Sequence, residues 1–153
     1  MDIADFTTNT HDLQEAANLQ ARLSEYNEQH QAAASATNST NDDAIPAVAL
    51  DSGAYKYVLI TAKTPTANRI RTFVYSKRNA QYHRNVAERL LPILESNGFR
   101  DIKINGGGRI LRDDEDKKVH IFGYSYGFGR ADHALAKEVV EQSVNYRGYT
   151  VTW

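Results

Sequence analysis

Residues 118–140 read KVHIFGYSYGFGRADHALAKEVV, and they hold the clearest change from one kind of secondary structure to another. The first part is rich in β-branched and aromatic residues, which predicts a strand over Lys118–Tyr124. Apolar residues then recur at helical spacing and predict a helix over about Ala131–Val144. The glycine-rich segment Gly123–Gly129 joins the two. The stretch therefore predicts a strand–loop–helix unit.

The loop of this unit is a candidate anion site. Its three glycines, Gly123, Gly127 and Gly129, allow successive backbone N–H groups to face one anion near the positive end of a helix. Their spacing fits neither the Walker pattern nor the dinucleotide-binding fingerprint. The alternative is an ordinary turn, and the loop by itself leaves both interpretations open. We interpret a second glycine run, Gly106–Gly108, as a tight connection between two strands.

The rest of the chain after residue 44 has the pattern of a small mixed domain. A helix is predicted over about Asn79–Ser96, with a bend at Pro92. Further strands are predicted over Ala47–Leu50, Tyr55–Thr61, Ile70–Tyr75, Arg100–Ile104, Arg109–Arg112 and Tyr149–Trp153. Together these elements predict an α+β fold, a single mixed sheet of about six strands with two flanking helices.

Composition limits the chemistry that this chain can perform. Its 153 residues include no cysteine and carry a formal net charge of −1. The absence of cysteine excludes disulfides, thiolate zinc sites and every cysteine nucleophile. The sequence has no apolar run long enough to cross a bilayer and opens on no signal segment, so we expect a cytoplasmic protein.

The small net charge conceals a strong asymmetry. Residues 1–44 contain eight acidic residues and one basic residue, a charge of −7, and residues 45–153 carry +6. Few large apolar side chains occur before residue 45, so we predict that residues 1–44 form an acidic extension, mostly disordered or transiently helical, ahead of a domain over 45–153. A transient helix is expected over about Thr10–His30 with a linker over Ala32–Asp43, and we favour a solvating role over a binding role.

The histidines of the predicted domain are His83, His120 and His133. His120 falls within a strand, whereas His83 and His133 each lie in the first turn of a predicted helix. A single helical histidine is more often structural than catalytic, and the pattern around these two leaves both roles open. No pair of histidines has short ligand spacing, so no metal site is predicted.

Several separated motifs resemble one known family in the same order. They are Asp51, Gly53 and Lys56–Ile60; Tyr82 and His83; Gly106–Ile110; Asp116–His120; and Gly123–Ser125 with Gly129, Ala131, His133 and Ala134. From about residue 47 to the end, the sequence resembles the protein histidine phosphatase family, also called the Janus/Ocnus family. The extension before that point is unmatched.

The resemblance implies a small mixed-sheet enzyme that removes phosphate from phosphohistidine, and from phospholysine, without a metal ion or cofactor. By position in the motifs, His83 would be catalytic, as general base or nucleophile. The phosphate would be bound by Lys56 and by the loop residues Ser125, Tyr126 and Gly127, with Arg109 and His133 at or near the site. Family members carry an arginine about eight residues before the catalytic histidine, where this sequence has Tyr75.

The implied partners are phosphohistidine-containing proteins, which suit a domain of charge +6, rather than nucleic acid or membrane. A monomer is expected. The alternative is a catalytically weak domain of the same family that binds phosphorylated protein or another anion. Both Lys56 and His83 are present, which favours the enzyme, since binding alone would not need a histidine base.

Overall fold

The computed structural model describes residues 3–31, 42–67 and 69–153. The strands are β1 (Val48–Ala49), β2 (Gly53–Lys63), β3 (Ile70–Ser76), β4 (Arg100–Asp113), β5 (Lys118–Phe122) and β6 (Thr150–Thr152). The helices are α1 (Ile3–Gln29), α2 (His83–Ala87), α3 (Leu91–Ser96) and α4 (His133–Gln142), and a 3₁₀ turn follows at Val144–Tyr146. None of the described helices is both long and apolar enough to cross a membrane.

The six strands form one mixed sheet in the order β1-β3-β2-β4-β5-β6. The outer pairs β1–β3 and β5–β6 are parallel, and the three inner pairings are antiparallel. The predicted α+β class and the single mixed sheet are confirmed. The strand–loop–helix unit of the sequence is β5, the glycine-rich loop and α4.

Side chains alternate along β2 and so divide the core between the two faces of the sheet. Val58 and Ile60 lie in one buried cluster, which includes residues of α1, α2 and α3. Tyr57 and Leu59 lie in the other cluster, which includes residues of α4 and the 3₁₀ turn. The sheet is therefore covered on both faces, by three helices on one side and by α4 on the other.

Strand β4 differs from its prediction. The two strands expected over Arg100–Ile104 and Arg109–Arg112 are one continuous strand, and Gly106–Gly108 lies inside it. Gly107 pairs with Val58 and Gly108 with Tyr57, and a shift of register follows Val58 on the partner strand. The interpretation of this glycine run as a connection between strands was wrong, because the glycines continue the ladder through an irregularity rather than ending it.

The helix predicted over Asn79–Ser96 is two short helices, α2 and α3. Pro92 stands in the first turn of α3. A proline is tolerated there because its missing N–H has no partner within the helix, whereas in a helix interior it would remove a hydrogen bond. Pro92 therefore begins a new helix instead of bending a long one.

The acidic N-terminal region is a helix packed on the domain, which differs from the expected transient helix in a solvating extension. Leu19 and Leu23 of α1 are each 1% exposed and belong to the same buried cluster as Val58. The Asn27 side chain donates to Ile102 O and accepts from Ile102 N, both at 2.9 Å, so it pairs with the backbone of β4. The linker expected over Ala32–Asp43 lies mostly outside the described residues, and the division at residue 44 stays a prediction.

Packing of α1 predicts a stability difference between two leucines of the same helix. Leu23→Ala removes a buried side chain, and we expect the free energy of unfolding to fall by about 2 kcal/mol. The matched control is Leu13→Ala, since Leu13 is 48% exposed, and its expected cost is below about 0.5 kcal/mol. Urea denaturation of the full chain measures both. Equal effects of the two substitutions would contradict the docked position of α1.

Candidate active site

His83 is the first residue of α2 and is buried, with 4% of its surface exposed. Its ring nitrogen Nε2 lies 2.9 Å from the carbonyl oxygen of Gly108. A carbonyl can only accept, so Nε2 carries the hydrogen and donates it. When the ring is neutral, Nδ1 is therefore the nitrogen with a free lone pair. That nitrogen lies beside Asp12 Oδ1, which is 3.3 Å away.

Two glycines of β4 allow this close approach. A Cβ on Gly107 would lie 2.8 Å from His83 Cδ2, and a Cβ on Gly108 would lie 2.9 Å from His133 Cε1. Successive residues of a strand point to opposite faces, so the two histidines lie on opposite sides of β4. Any side chain at either glycine would displace an imidazole.

The glycine-rich loop is a closed turn held beside the same glycines. Gly129 N donates to Ser125 O at 2.8 Å, and Phe128 N donates to the Ser125 hydroxyl oxygen at 3.0 Å. Gly107 N also donates to Gly129 O, at 3.0 Å, which ties the loop to β4. The loop and His83 are thus fixed to neighbouring points of one strand.

A carboxylate from α1 lies between His83 and the loop. Asp12 Oδ2 accepts from the Ser125 hydroxyl at 3.1 Å and from Gly127 N at 2.9 Å. Asp12 Oδ1 accepts from His83 N at 2.9 Å and lies 3.3 Å from His83 Nδ1. Two backbone N–H groups and one hydroxyl therefore donate to one buried carboxylate, which also lies beside His83 Nδ1.

The ionisation of Asp12 reflects these donors. Burial alone would raise the pKa of its carboxyl group, but hydrogen bonds from His83 and Gly127 outweigh burial and hold the pKa well below the usual range. Asp12 is therefore a carboxylate at neutral pH. We call the space between His83 Nδ1, the Ser125 hydroxyl and Gly127 N the anion pocket.

Two basic residues stand beside this pocket. Lys56 and Arg109 are directly opposite each other in the β2–β4 pairing, on the face of the sheet that α1 and α2 cover. Lys56 Nζ lies 3.4 Å from Ala80 O. Its pKa is lowered by burial first and by the charge of Arg109 next, while Asp12 opposes both. Arg109 itself is exposed to solvent.

The structure does not bring His133 into the anion pocket. Its Nε2 donates to Gly123 O at 2.8 Å, and its Nδ1 lies 2.5 Å from the Tyr57 hydroxyl. Burial raises the pKa of Tyr57, so the hydroxyl keeps its hydrogen and donates it to Nδ1. His133 thus holds the start of the glycine-rich loop from the opposite face of the sheet. The expected place of His133 at the phosphate site differs from this position.

Of the other residues implied by the resemblance, some contribute donors to the anion pocket and some do not. Ser125 and Gly127 point donors into the pocket, whereas the side chain of Tyr126 is 51% exposed. Tyr75, which replaces the family arginine, is a buried core residue whose hydroxyl donates to Pro46 O at 2.7 Å. It is part of the hydrophobic cluster and not of the pocket.

Sequence reasoning missed Asp12 and the role of Gly107. The buried face of α1 comprises Asp12, Ala16, Leu19 and Leu23, with Tyr26 half-buried on the same stripe. Helical spacing of the apolar residues predicts a loose stripe of Leu13, Ala16, Ala17, Leu23 and Tyr26. Three of these lie on the buried face, whereas Leu13 and Ala17 are exposed. Spacing alone could have placed Asp12 on this face, but a hydropathy pattern assigns a carboxylate to the solvent.

The described part of the chain holds no group of three or more His, Asp or Glu side chains that could bind a metal ion. The donors of the anion pocket are N–H and O–H groups, which are suited to anions and not to cations.

The fold and the pocket define an α+β domain in which backbone N–H and hydroxyl donors hold a carboxylate beside a buried histidine. A sequence model of the Janus/Ocnus family (Ocnus) matches residues 42–150, and the chain belongs to this family. Helix α1, with Asp12, lies before the matched region.

Curated relatives cover about the same share of the chain. The chain is 37% identical over 116 residues to the 14 kDa phosphohistidine phosphatase of Sus scrofa, covering 71% of this chain and 89% of that protein. It is 35% identical over 115 residues to the Homo sapiens protein of the same name, with 71% and 90% covered. It is also 31% identical over 108 residues to the sex-regulated protein janus-B of Drosophila melanogaster, with 71% and 76% covered.

The close contact at Gly107 predicts that even one methyl group would disturb the pocket. In Gly107→Ala the new Cβ would lie 2.6 Å from Tyr57 O and 2.8 Å from His83 Cδ2. We expect a loss of stability of about 1–3 kcal/mol together with a shift of the His83 imidazole resonances in NMR spectra. Unchanged stability and unchanged resonances would show that His83 does not pack against this glycine.

Proposed function

We propose that this protein is a protein phosphohistidine phosphatase, which hydrolyses the P–N bond of phosphohistidine. The observation that carries the proposal is the anion pocket, in which a buried carboxylate lies 3.3 Å from His83 Nδ1. Two relatives at 35% and 37% identity bear the name of this activity. A pocket that holds a carboxylate with three donors has the chemistry to hold a phosphoryl group.

In this proposal the phosphoryl oxygens take the place of the Asp12 oxygens. Gly127 N, the Ser125 hydroxyl and His83 N donate to them, since these are the donors that Asp12 now accepts from. By its place in the family motif, Tyr126 would contribute its backbone N–H as a further donor to the phosphoryl oxygens. Charge accumulates on these oxygens during phosphoryl transfer, so preorganised donors stabilise the transition state.

Lys56 and Arg109 supply positive charge at the edge of the same pocket. The pairing of Lys56 with Arg109 on neighbouring strands supports this role, and the opposing effects of Arg109 and Asp12 on the Lys56 pKa agree with it. His133 has a different role in the proposal. It positions the loop through Gly123 and does not touch the phosphoryl group.

His83 supplies the reactive nitrogen. As a general base, Nδ1 takes a proton from water while the water oxygen bonds to phosphorus and the P–N bond breaks; the proton then passes to the leaving nitrogen. As a nucleophile, Nδ1 bonds to phosphorus while the P–N bond of the substrate breaks and the leaving nitrogen takes a proton from solvent; in a second step water bonds to phosphorus, and the Nδ1–P bond breaks. Both routes use the same nitrogen, which Gly108 O keeps free by fixing the hydrogen on Nε2. The proposal includes no metal ion and places the enzyme in the cytoplasm.

The test is hydrolysis of a phosphohistidine peptide in the presence of EDTA. We expect His83→Ala to lower kcat by at least about 10²-fold, the lower end of the range for loss of a general base. The matched control is His120→Ala, since His120 lies on β5 and its ring bonds to Thr152 Oγ1 at 2.7 Å. Equal rates for His83→Ala and the wild type would contradict the assignment of His83, and activity that needs added metal would contradict the metal-independent route.

A second prediction separates phosphate binding from chemistry. Lys56→Ala removes a half-buried charge beside the pocket, so the affinity for inorganic phosphate should fall about tenfold, the effect of one charge-assisted contact. The control is Lys103→Ala, because the side chain of Lys103 is 62% exposed and lies 3.9 Å from Asp101. Isothermal titration with phosphate measures both. An equal loss in the two variants would mean that Lys56 acts only through the net charge of the domain.

A further inference from the structure

We propose that α1 is an intramolecular pseudosubstrate, in which the Asp12 carboxylate occupies the phosphoryl position and inhibits the enzyme until α1 leaves the pocket. The inference rests on the proposed function, since it regulates the same site. It gives the acidic N-terminal helix a role as an occupant of the anion pocket.

Helix α1 and a phosphoryl group need the same space. The Ser125 hydroxyl, Gly127 N and His83 N all donate to Asp12. The backbone of α1 also covers the loop, because a Cβ built on Gly127 would lie 2.5 Å from both Asp12 O and Ala16 Cβ. A phosphorylated side chain therefore cannot enter while α1 is docked.

The docking of α1 is specific along its length. Arg22 makes two hydrogen bonds with the Glu95 carboxylate, at 2.8 and 2.9 Å. The Tyr26 hydroxyl donates to Phe99 O at 2.5 Å, and Asn27 pairs with the backbone of β4. These contacts fix the register of the helix and so bring Asp12 to the anion pocket.

Release of α1 depends on competition between Asp12 and the substrate for the anion pocket. The family match begins at residue 42, so α1 lies outside the region that the family model describes. A tethered ligand competes with an effective concentration in the millimolar range, which a phosphorylated protein of higher affinity can overcome. If α1 is docked about 90–99% of the time, the apparent affinity for an anion is about 10–100-fold below that of the open pocket.

Asp12 could instead orient His83 as a catalytic positioning residue, and the geometry argues against that role. The ring is already oriented by the bond from Nε2 to Gly108 O, at 2.9 Å. Asp12 approaches Nδ1, the nitrogen that the reaction uses. The two roles predict effects of opposite sign, because loss of an orienting carboxylate lowers activity and loss of a pseudosubstrate raises it.

The experiment compares two release variants with matched controls in the full chain. Asp12→Asn removes the charge that occupies the pocket, and Glu25→Gln removes one negative charge from an exposed position of the same helix. Ala16→Arg forces a large side chain against the loop, and Ala17→Arg places it on the exposed face. Each protein is titrated with inorganic phosphate and then assayed with a phosphohistidine peptide.

We expect both release variants to bind phosphate about 10–100-fold more tightly than the wild type, with a parallel rise in kcat/KM, and both controls to match the wild type. Phosphate affinity and kcat/KM that stay at the wild-type level in Asp12→Asn and Ala16→Arg would overturn the inference. So would a folded Asp12→Asn variant with lower activity, which would make Asp12 a positioning residue.

The two readouts separate this inference from the proposed function. Tighter phosphate binding in the release variants without hydrolysis of the peptide would refute the phosphatase and support α1 as the occupant of the pocket. Wild-type hydrolysis that depends on His83 and is unchanged by release would support the phosphatase and refute the pseudosubstrate. Asp12→Asn is nearly isosteric, so the test stands even if Ala16→Arg does not fold.

Discussion

The hydrogen bond from His83 Nε2 to Gly108 O is the interaction on which the site depends. It joins α2 to β4 and fixes which ring nitrogen carries the hydrogen. The same strand holds the glycine-rich loop through Gly107, so histidine and loop are positioned relative to each other by one short stretch of backbone. Because β4 is an inner strand that pairs with both β2 and β5, the anion pocket is built on hydrogen-bonded backbone rather than on loops alone.

The glycines of β4 are a consequence of this arrangement. Gly107 and Gly108 face opposite sides of the sheet, and an imidazole packs against each of them. His83 lies beside the anion pocket. Both ring nitrogens of His133 are hydrogen-bonded, one to the Tyr57 hydroxyl and one to Gly123 O, so His133 supports the loop. Two histidines of similar sequence context therefore have different roles, and the side of the sheet decides between them.

Much of the sheet and part of the candidate site could be predicted from the sequence, because local patterns indicate them. The change of period between β5 and α4, and the ordered motifs around His83, point to the sheet and to the site. The path of β4 through Gly106–Gly108 was missed, since glycines in a strand are locally indistinguishable from a turn. Docking of α1 was missed because the buried stripe of that helix includes Asp12, and the partner of a buried carboxylate is visible only once distant segments meet in space.

The protonation of the His83 ring tests the central claim most directly. Nitrogen-15 NMR of histidine-labelled protein distinguishes the two neutral tautomers and can follow the ring in the wild type and in Asp12→Asn. We predict that neutral His83 carries its hydrogen on Nε2, where that hydrogen is bonded to Gly108 O. In Asp12→Asn, Nδ1 of the neutral ring should carry no hydrogen. A neutral ring with its hydrogen on Nδ1 would contradict the account, because the nitrogen facing the anion pocket could then act neither as base nor as nucleophile.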